Sequence, residues 1–445
     1  MEINRNNIIF YIAPVVIVVA IAMIFWGMRS SPLSSAKIVF WGFENKATYD
    51  SFFVSFQSAY PNIEIEYAQK FPETYEKDLL SAMAAGQGPD IFPMKHTWLP
   101  RYQDKIFPLP AKLMALKTYY DTFVDVATQD LIADGNIYGV PWYVDTLALY
   151  WNKDFFNTVG IAQTPKNWDE FIEDVQKITI KDEGSNISRA GAAIGGNSNV
   201  NNSTDILALL MMQSGAKMTG SKTEATFNRE VVVGGEQLKP GRDALEFYIN
   251  FSNPQYKAYT WNSRMGNSLE SFIQGKTATI FDYSSAAAMI SKAAPYLNYA
   301  IAPMPQVKDT NVAITYADYW AEAVWLNSKN TEAAWTFILW MAGQDAQKKY
   351  LDVIKKPASR RDIVSLQADN QALGVFAKQS LSARSWYQVD EEAVKEIFSQ
   401  MIDSVFYSQA TADDAVERAA VQISSLMKQA DIKKEQGKID FQLGN

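Results

Sequence analysis

The chain has 445 residues and a net charge of -8, from 41 Lys and Arg against 49 Asp and Glu, with one histidine and no cysteine. That composition leaves no thiol catalysis, disulfide or Cys/His zinc site, and without clustered Lys and Arg to neutralise phosphates it argues against a nucleic-acid partner. The length suits about two or three domains, enough to enclose a cleft, and paired-carboxylate or serine chemistry stays open.

Residues 8–28 (IIFYIAPVVIVVAIAMIFWGM) run without a charge. About 20 apolar residues cross a bilayer as a helix. The run is longer than the apolar core of a cleavable signal. Ser34-Ser35-Ala36 offers a small-residue cleavage site, but the length favours an uncleaved anchor that exports everything from Lys37 onward. With no cysteine, lipid attachment through an N-terminal cysteine is not available. The expected location is the extracytoplasmic face of a bacterial cell membrane or, where the segment is cleaved as a signal, a secreted or periplasmic one; either way Lys37 onward is exported.

Residues 37–41 (KIVFW) read as a first strand ending at Trp41, followed by the polar loop Glu44-Asn45-Lys46, a ligand-facing arrangement in α/β domains. Residues 49–59 read as a helix with Phe52, Phe53 and Phe56 on one face, and residues 63–67 alternate with the period of a half-buried strand. Thr74 is placed to cap the next helix, which stops at Gly86, and Ile91-Phe92 begins a third strand. The order strand, helix, strand, helix, strand predicts α/β packing on a largely parallel sheet. At its end come His96, Thr97 and Trp98. His96 has no thiol partner and reads as a hydrogen-bonding loop residue rather than a catalyst.

Residues 134–156 (DGNIYGVPWYVDTLALYWNKDFF) hold a turn, an aromatic pair, a lone acid and an apolar strand. Asp145 sits at the junction, either capping a turn or reaching a ligand. Asn167 and Glu170 form a capping box. Asn197, Asn199, Asn201 and Asn202 serve either as turn residues or as hydrogen-bonding groups for a polar ligand. Residues 217–241 read as an exposed insertion. Gly275-Lys276-Thr277 lacks the glycine that a phosphate loop requires at position 270, which is Glu270. Asp282-Tyr283-Ser284-Ser285 lies between a strand and a helix. Tyr319 and Trp320 belong to a second aromatic cluster, Trp386 lies in a late loop, and Thr411 caps the last helix.

Together, residues 80–91 (LSAMAAGQGPDI), 138–153 (YGVPWYVDTLALYWNK), 164–171 (TPKNWDEF) and 272–281 (FIQGKTATIF), followed by residues 333–337 and 357–361, resemble in order and spacing the extracellular solute-binding proteins of ABC importers. The match is to the sugar-binding group typified by maltose-binding protein. The resemblance implies an α/β fold of two periplasmic-binding-protein-like lobes with the ligand cleft between them, in addition to the N-terminal transmembrane helix. One lobe would comprise residues 37–143 and 324–369, the other 146–315 and 374–445, with crossovers at 144–145 and 316–323. It implies no chemistry on the ligand, no cofactor and no metal, and ABC permease subunits as partners.

On that plan Glu44, Asp145 and Asp282 accept hydroxyl hydrogens from a sugar, and Trp98, Trp142 and Trp320 stack on its rings. Trp41, Asn45, Lys46, Thr97, Asn197, Asn199, Tyr319 and Trp386 complete the expected site. Trp98 stands where a polar contact is common and Ser285 where an aromatic is expected, so Tyr283, Trp320 or Trp386 would supply the missing stacking surface. A sugar's hydroxyls and apolar C-H faces suit such a mixture of carboxylates, amides and rings. The competing readings are a membrane-anchored glycan hydrolase with paired carboxylates and a binding protein for a cationic solute.

Overall fold

A computed structural model of the protein describes residues 35–184, 186–233 and 235–443. The apolar run at residues 8–28 lies outside them. Among the described residues no helix is long and apolar enough to cross a membrane.

Strand β1 (Ala36–Gly42) leads into α1 (Lys46–Ala59), which buries Tyr49, Phe52 and Phe56. Then follow β2 (Ile63–Gln69), α2 (Pro72–Ala84) and the fully buried β3 (Ile91–Lys95). β1 pairs in parallel with β2 from Ala36↔Ile63 to Gly42↔Gln69, and in parallel with β3 at Phe40↔Ile91. Thr74 does not cap α2. Pro72 opens that helix, where its missing N–H costs nothing, and the Thr74 hydroxyl instead donates to Asp78 Oδ2 at 2.9 Å.

After β4 (Asp145–Thr146) the chain builds a second sheet from β5 (Ala148–Asn152), β6 (Thr279–Asp282) and β7 (Tyr299–Ala302). β5 is central and antiparallel to both neighbours. Helices α3 (Ser203–Gln213) and α4 (Ser285–Ala293) belong to this half. Asn167 caps its helix as expected, accepting Glu170 N at 3.0 Å, while the Glu170 carboxylate reaches back one residue past the cap to accept Lys166 N at 2.8 Å. The segment 217–241 is not simply exposed: it forms two antiparallel hairpins, and Met218, Ala225 and Phe227 are buried against the second core.

The chain returns through β8 (Thr315–Asp318) and β9 (Trp320–Val324), the latter antiparallel to β3 at the edge of the first sheet. Helix α5 (Gln344–Ile354), the short strand β10 (Ala383–Arg384), α6 (Glu391–Phe406) and α7 (Ala412–Leu443) complete the fold. β8 lies between β4, to which it is antiparallel, and β10, to which it is parallel.

Among the described residues two large hydrophobic cores result, the signature of two lobes, with a small satellite of Phe156, Ile178 and Ala278. One gathers Phe40, Tyr49, Phe56, Ile91, Trp142 and Val144 with Ala321, Val324, Trp335 and Tyr350. The other gathers Leu149, Tyr150, Phe171, Ile206, Leu245, Phe272 and Phe281 with Phe398, Met401 and Ile423. Ala317, Tyr319, Ala321 and Ala323 pack in the first core. Much of the segment expected as a crossover therefore belongs to the first lobe, because β9 is held by a five-residue ladder to β3. β4, β8 and β10 pair side by side where the two cores meet, with Tyr316 packed in the second core and Ala317 and Ala383 in the first.

Candidate functional site

The edge of the first sheet sets one wall of the cleft. β9 pairs Trp320 with Lys95 at the end of β3, and the chain after β3 turns through a short 3-10 segment bearing His96, Thr97 and Trp98. This gathers an aromatic cluster. Trp98 lies parallel to Tyr75 of α2 (centroids 6.1 Å, planes at 12°) and edge-on to Trp320 (5.3 Å, 77°). Phe43 supports both Tyr75 and Trp320 from behind at 4.8 Å. Trp98 and Trp320 are only half-buried, so part of each indole surface stays open.

The opposite wall is the start of α6. Asp390 caps it by accepting Ala393 N at 3.1 Å, and Glu391 and Lys395, one turn apart, pair at 2.7 Å. Between the walls lies a cavity of about 550 Å³ lined by Tyr75, Lys95, Thr97, Trp98 and Trp320 on one side and Glu391 and Lys395 on the other. The walls touch where the Thr97 hydroxyl donates to Glu391 Oε2 at 2.6 Å.

Charges in and behind this cavity are compensated. Lys95 is ion-paired with Asp318. His96 lies with Nδ1 at 3.1 Å from Asp130 and Nε2 at 3.6 Å from Asp318, its ring stacked on Tyr319 at 4.6 Å. Burial alone would lower the His96 pKa, but hydrogen bonds to the two aspartates outweigh it and raise it to about 9. Burial works against ionised Asp318, yet Lys95 and His96 hold it far below the usual carboxylate range. Asp130 also accepts the Tyr319 hydroxyl at 2.8 Å and the Ser385 hydroxyl, so a residue beyond β10 is tied to the first lobe. In the second lobe Asp205 of α3 accepts the Tyr283 hydroxyl at 2.8 Å, and burial, opposed by Lys395, raises its carboxyl to about 6.

On β4, Asp145 accepts four hydrogen bonds. Its Oδ1 takes Thr146 N at 3.0 Å and Ser284 N at 3.2 Å, and its Oδ2 takes Ser284 Oγ at 2.6 Å and Lys356 Nζ at 2.8 Å. A carboxylate has about four acceptor sites, so protein donors already fill those of Asp145. This corrects its expected role as a sugar acceptor. Glu44 stands nearby; burial raises its carboxyl and Lys356 opposes the shift.

Several other expected contacts are structural. Trp142 is 2 % exposed, wedged among Phe40, Phe337 and Tyr350, with its N–H donated to Ile338 O at 3.3 Å, so neither ring face is available for stacking. Asn197 donates to Asp403 Oδ2 and accepts from Ser203, and Asn199 donates to the carbonyls of Asn262 and Met265. Asp282 is occupied by Tyr283 N and the amides of Asn201 and Asn202. Asn45 caps α1 through Ala47 N, and Lys46 makes an exposed pair with Asp50 on the same helix. Tyr319 and Tyr283 are buried with their hydroxyls on Asp130 and Asp205. Trp386 is buried against Phe398, its N–H without a hydrogen-bond partner among the described residues. Trp41 carries the Lys70 ammonium 3.6 Å from its ring centroid, and Ser285 is an exposed first residue of α4.

Of the expected residues, Thr97, Trp98 and Trp320 line the cavity together. Sequence reasoning missed Tyr75, Lys95, Glu391 and Lys395 beside them, and Lys356 beside Asp145. Glu391 and Lys395 look like any i,i+4 pair on a solvated helix, and no local signal marks them.

Comparison with known proteins agrees with this architecture. The family model of bacterial extracellular solute-binding proteins matches residues 42–348. The chain belongs to that family, whose members bind solutes rather than transform them. A putative binding protein of Brucella abortus is 22% identical over 383 residues, spanning 84% of this chain and 88% of the relative. A mannitol-binding protein of Pseudomonas aeruginosa is 23% identical over 283 residues, covering 62% of this chain and 59% of the relative. Among solved structures, the sugar-binding protein MalE from Xanthomonas citri superposes with a TM-score of 0.75 at 19% identity, covering 90% of this chain and 99% of that one.

Proposed function

We propose that the protein binds a neutral, polyhydroxylated solute, a sugar, sugar alcohol or short oligosaccharide, in the cavity between Trp98 and Trp320 on one lobe and Glu391 and Lys395 on the other. It delivers that solute to the permease subunits of an ABC importer. The observation that carries this reading is the open indole surface of Trp98 and Trp320 beside Lys95, Glu391 and Lys395, whose charges are already paired with Asp318 or with each other. Such a surface takes the apolar C-H face of a sugar. Paired carboxylates and ammonium groups offer hydrogen bonds to hydroxyls without demanding a charged ligand. A relative that binds mannitol and a structural neighbour that binds sugar support the same solute class.

Residues 8–28 act as the membrane tether at the extracytoplasmic face, on the strength of their uncharged length. The lobes divide at residues 144–145 and near β8 (Thr315–Asp318), and their approach about these crossovers desolvates the polar contacts and presents a distinct shape to the permease.

The test is the shift in thermal unfolding of the protein across a panel of monosaccharides, sugar alcohols and oligosaccharides, with polyamines and metal ions as contrast. A ligand of the folded state raises stability by mass action. A shift with a sugar that is recovered chemically unchanged supports the reading; a shift confined to polyamines or metal ions overturns it.

A further inference from the structure

Lys356 occupies an unusual position for a lysine. It follows α5 by two residues, after the C-cap Lys355, whose left-handed conformation (φ 54°) ends the helix. The next three residues are pinned to the first crossover: Pro357 O accepts Val144 N at 3.2 Å, Ala358 bridges to Tyr143, and the Ser359 hydroxyl donates to Pro141 O at 2.6 Å. Lys356 therefore starts from a fixed backbone.

Its ammonium reaches three parts of the molecule. It donates to Asp145 Oδ2 at 2.8 Å and to Ser284 Oγ at 3.3 Å, and lies 5.7 Å from the ring of Tyr143. Asp145 belongs to the crossover strand β4, while Ser284 precedes α4 of the second lobe. Asp145 is almost wholly buried and Lys356 is only 23 % exposed, so their pairing is shielded from water. The groups facing the ammonium are the carboxylates of Asp145 and Glu44, the Tyr143 ring and the Ser284 hydroxyl.

We propose that Lys356 is an internal occupant of the inner cleft. Bound by Asp145 and Ser284 as a solute's polar group would be, it fastens the first lobe to the second and confines the solute to the outer cavity. The limit on solute length rests on the cavity being the binding site; the fastening rests on geometry alone.

The absence of native cysteine permits a direct test. Val54→Cys on α1 and Met289→Cys on α4, both exposed, carry spin labels on opposite lobes of the full chain for pulsed distance measurements. Lys356→Ala removes four atoms equivalent to n-propylammonium. Without any sugar present, the variant is expected to give a longer and broader interlobe distance, which n-propylammonium restores and n-propanol does not. Ser284→Ala, which removes the partner in the second lobe and leaves the core intact, is expected to widen the distribution in part.

An unchanged distance in both Lys356→Ala and Ser284→Ala, or a widening that the amine fails to reverse, overturns the proposal. If Lys356→Ala does not fold, Lys356→Met, which keeps an unbranched apolar stem one atom shorter and loses the charge, takes its place, and an unwidened distance there is equally fatal. This measurement needs no sugar, so it stands or falls separately from the thermal-shift panel. Where both hold, Lys356→Ala should bind a longer oligosaccharide than the unaltered chain.

Discussion

Asp145 and Asp318 lie directly opposite one another in the antiparallel pairing of β4 with β8, and each is ion-paired to a different lysine of the first lobe, Lys356 and Lys95 respectively. Like charges across a strand pair repel. Here the repulsion is relieved by two cations arriving from separate parts of the chain, one beyond α5 and one at the end of β3. The β4–β8 pairing is therefore an electrostatic seam, with each acid neutralised by its own lysine.

Asp318→Asn should be strongly destabilising, because it leaves Lys95 and the His96 imidazolium buried beside an amide. Breaking a buried pair in this way costs about 3–5 kcal/mol. Urea unfolding followed by tryptophan fluorescence measures it, and a change below about 1 kcal/mol would show that solvent compensates these charges.

Trp98→Ala and Trp320→Ala should each weaken sugar binding by about tenfold or more, as expected for an aromatic anchor at a contact surface, with modest effects on stability. Trp142→Ala should do the reverse. It opens a cavity in the first core at a cost of about 3–5 kcal/mol. Calorimetric titration beside thermal unfolding separates the two behaviours.

Glu322 of β9 is 8 % exposed, its Oε2 has no hydrogen-bond partner among the described residues, and burial raises its carboxyl to about 8. Between about 4.5 and 8 the unfolded chain has released this proton while the folded chain retains it, so stability falls as pH rises across that window. Glu322→Gln cannot titrate. It should gain on the unaltered protein by an amount on the order of a few kcal/mol between pH 5 and pH 8, and parallel pH profiles for the two would refute the burial argument.

His96 has the opposite chemistry and the same direction. Its raised pKa of about 9 means that the imidazolium's contribution is complete below about 6.5 and is lost as pH climbs through 9. The stability difference between the unaltered protein and His96→Gln should therefore be largest below about pH 6.5, on the order of 3 kcal/mol, and shrink toward pH 9. Chemical unfolding at several pH values checks this.

Much of the architecture is legible in the sequence because its causes are local. The period-two alternation in residues 63–67, the phenylalanine stripe of α1 and the Asn167 cap depend on neighbours within a turn or a pleat, and each forms as read. The order of these elements also carries the two-lobed plan. Thr97, Trp98 and Trp320 could be singled out because they follow or begin strands at the sheet edge.

What the sequence by itself determined is therefore most of the elements outside residues 217–241, their order and the family to which the chain belongs. The tertiary structure decided which polar groups remain available. Asp145 reads as a ligand acid until Lys356, 211 positions away, and Ser284, 139 positions away, fill its acceptor sites. Trp142 reads as a stacking ring until Phe40, Phe337 and Tyr350 close around it. Glu391 reads as a solvated helix residue until it meets Thr97 across 294 positions. A side chain's periodic position follows from its own segment, but its hydrogen-bond partners and its access to water are set by whichever distant segment the closing of the fold brings against it.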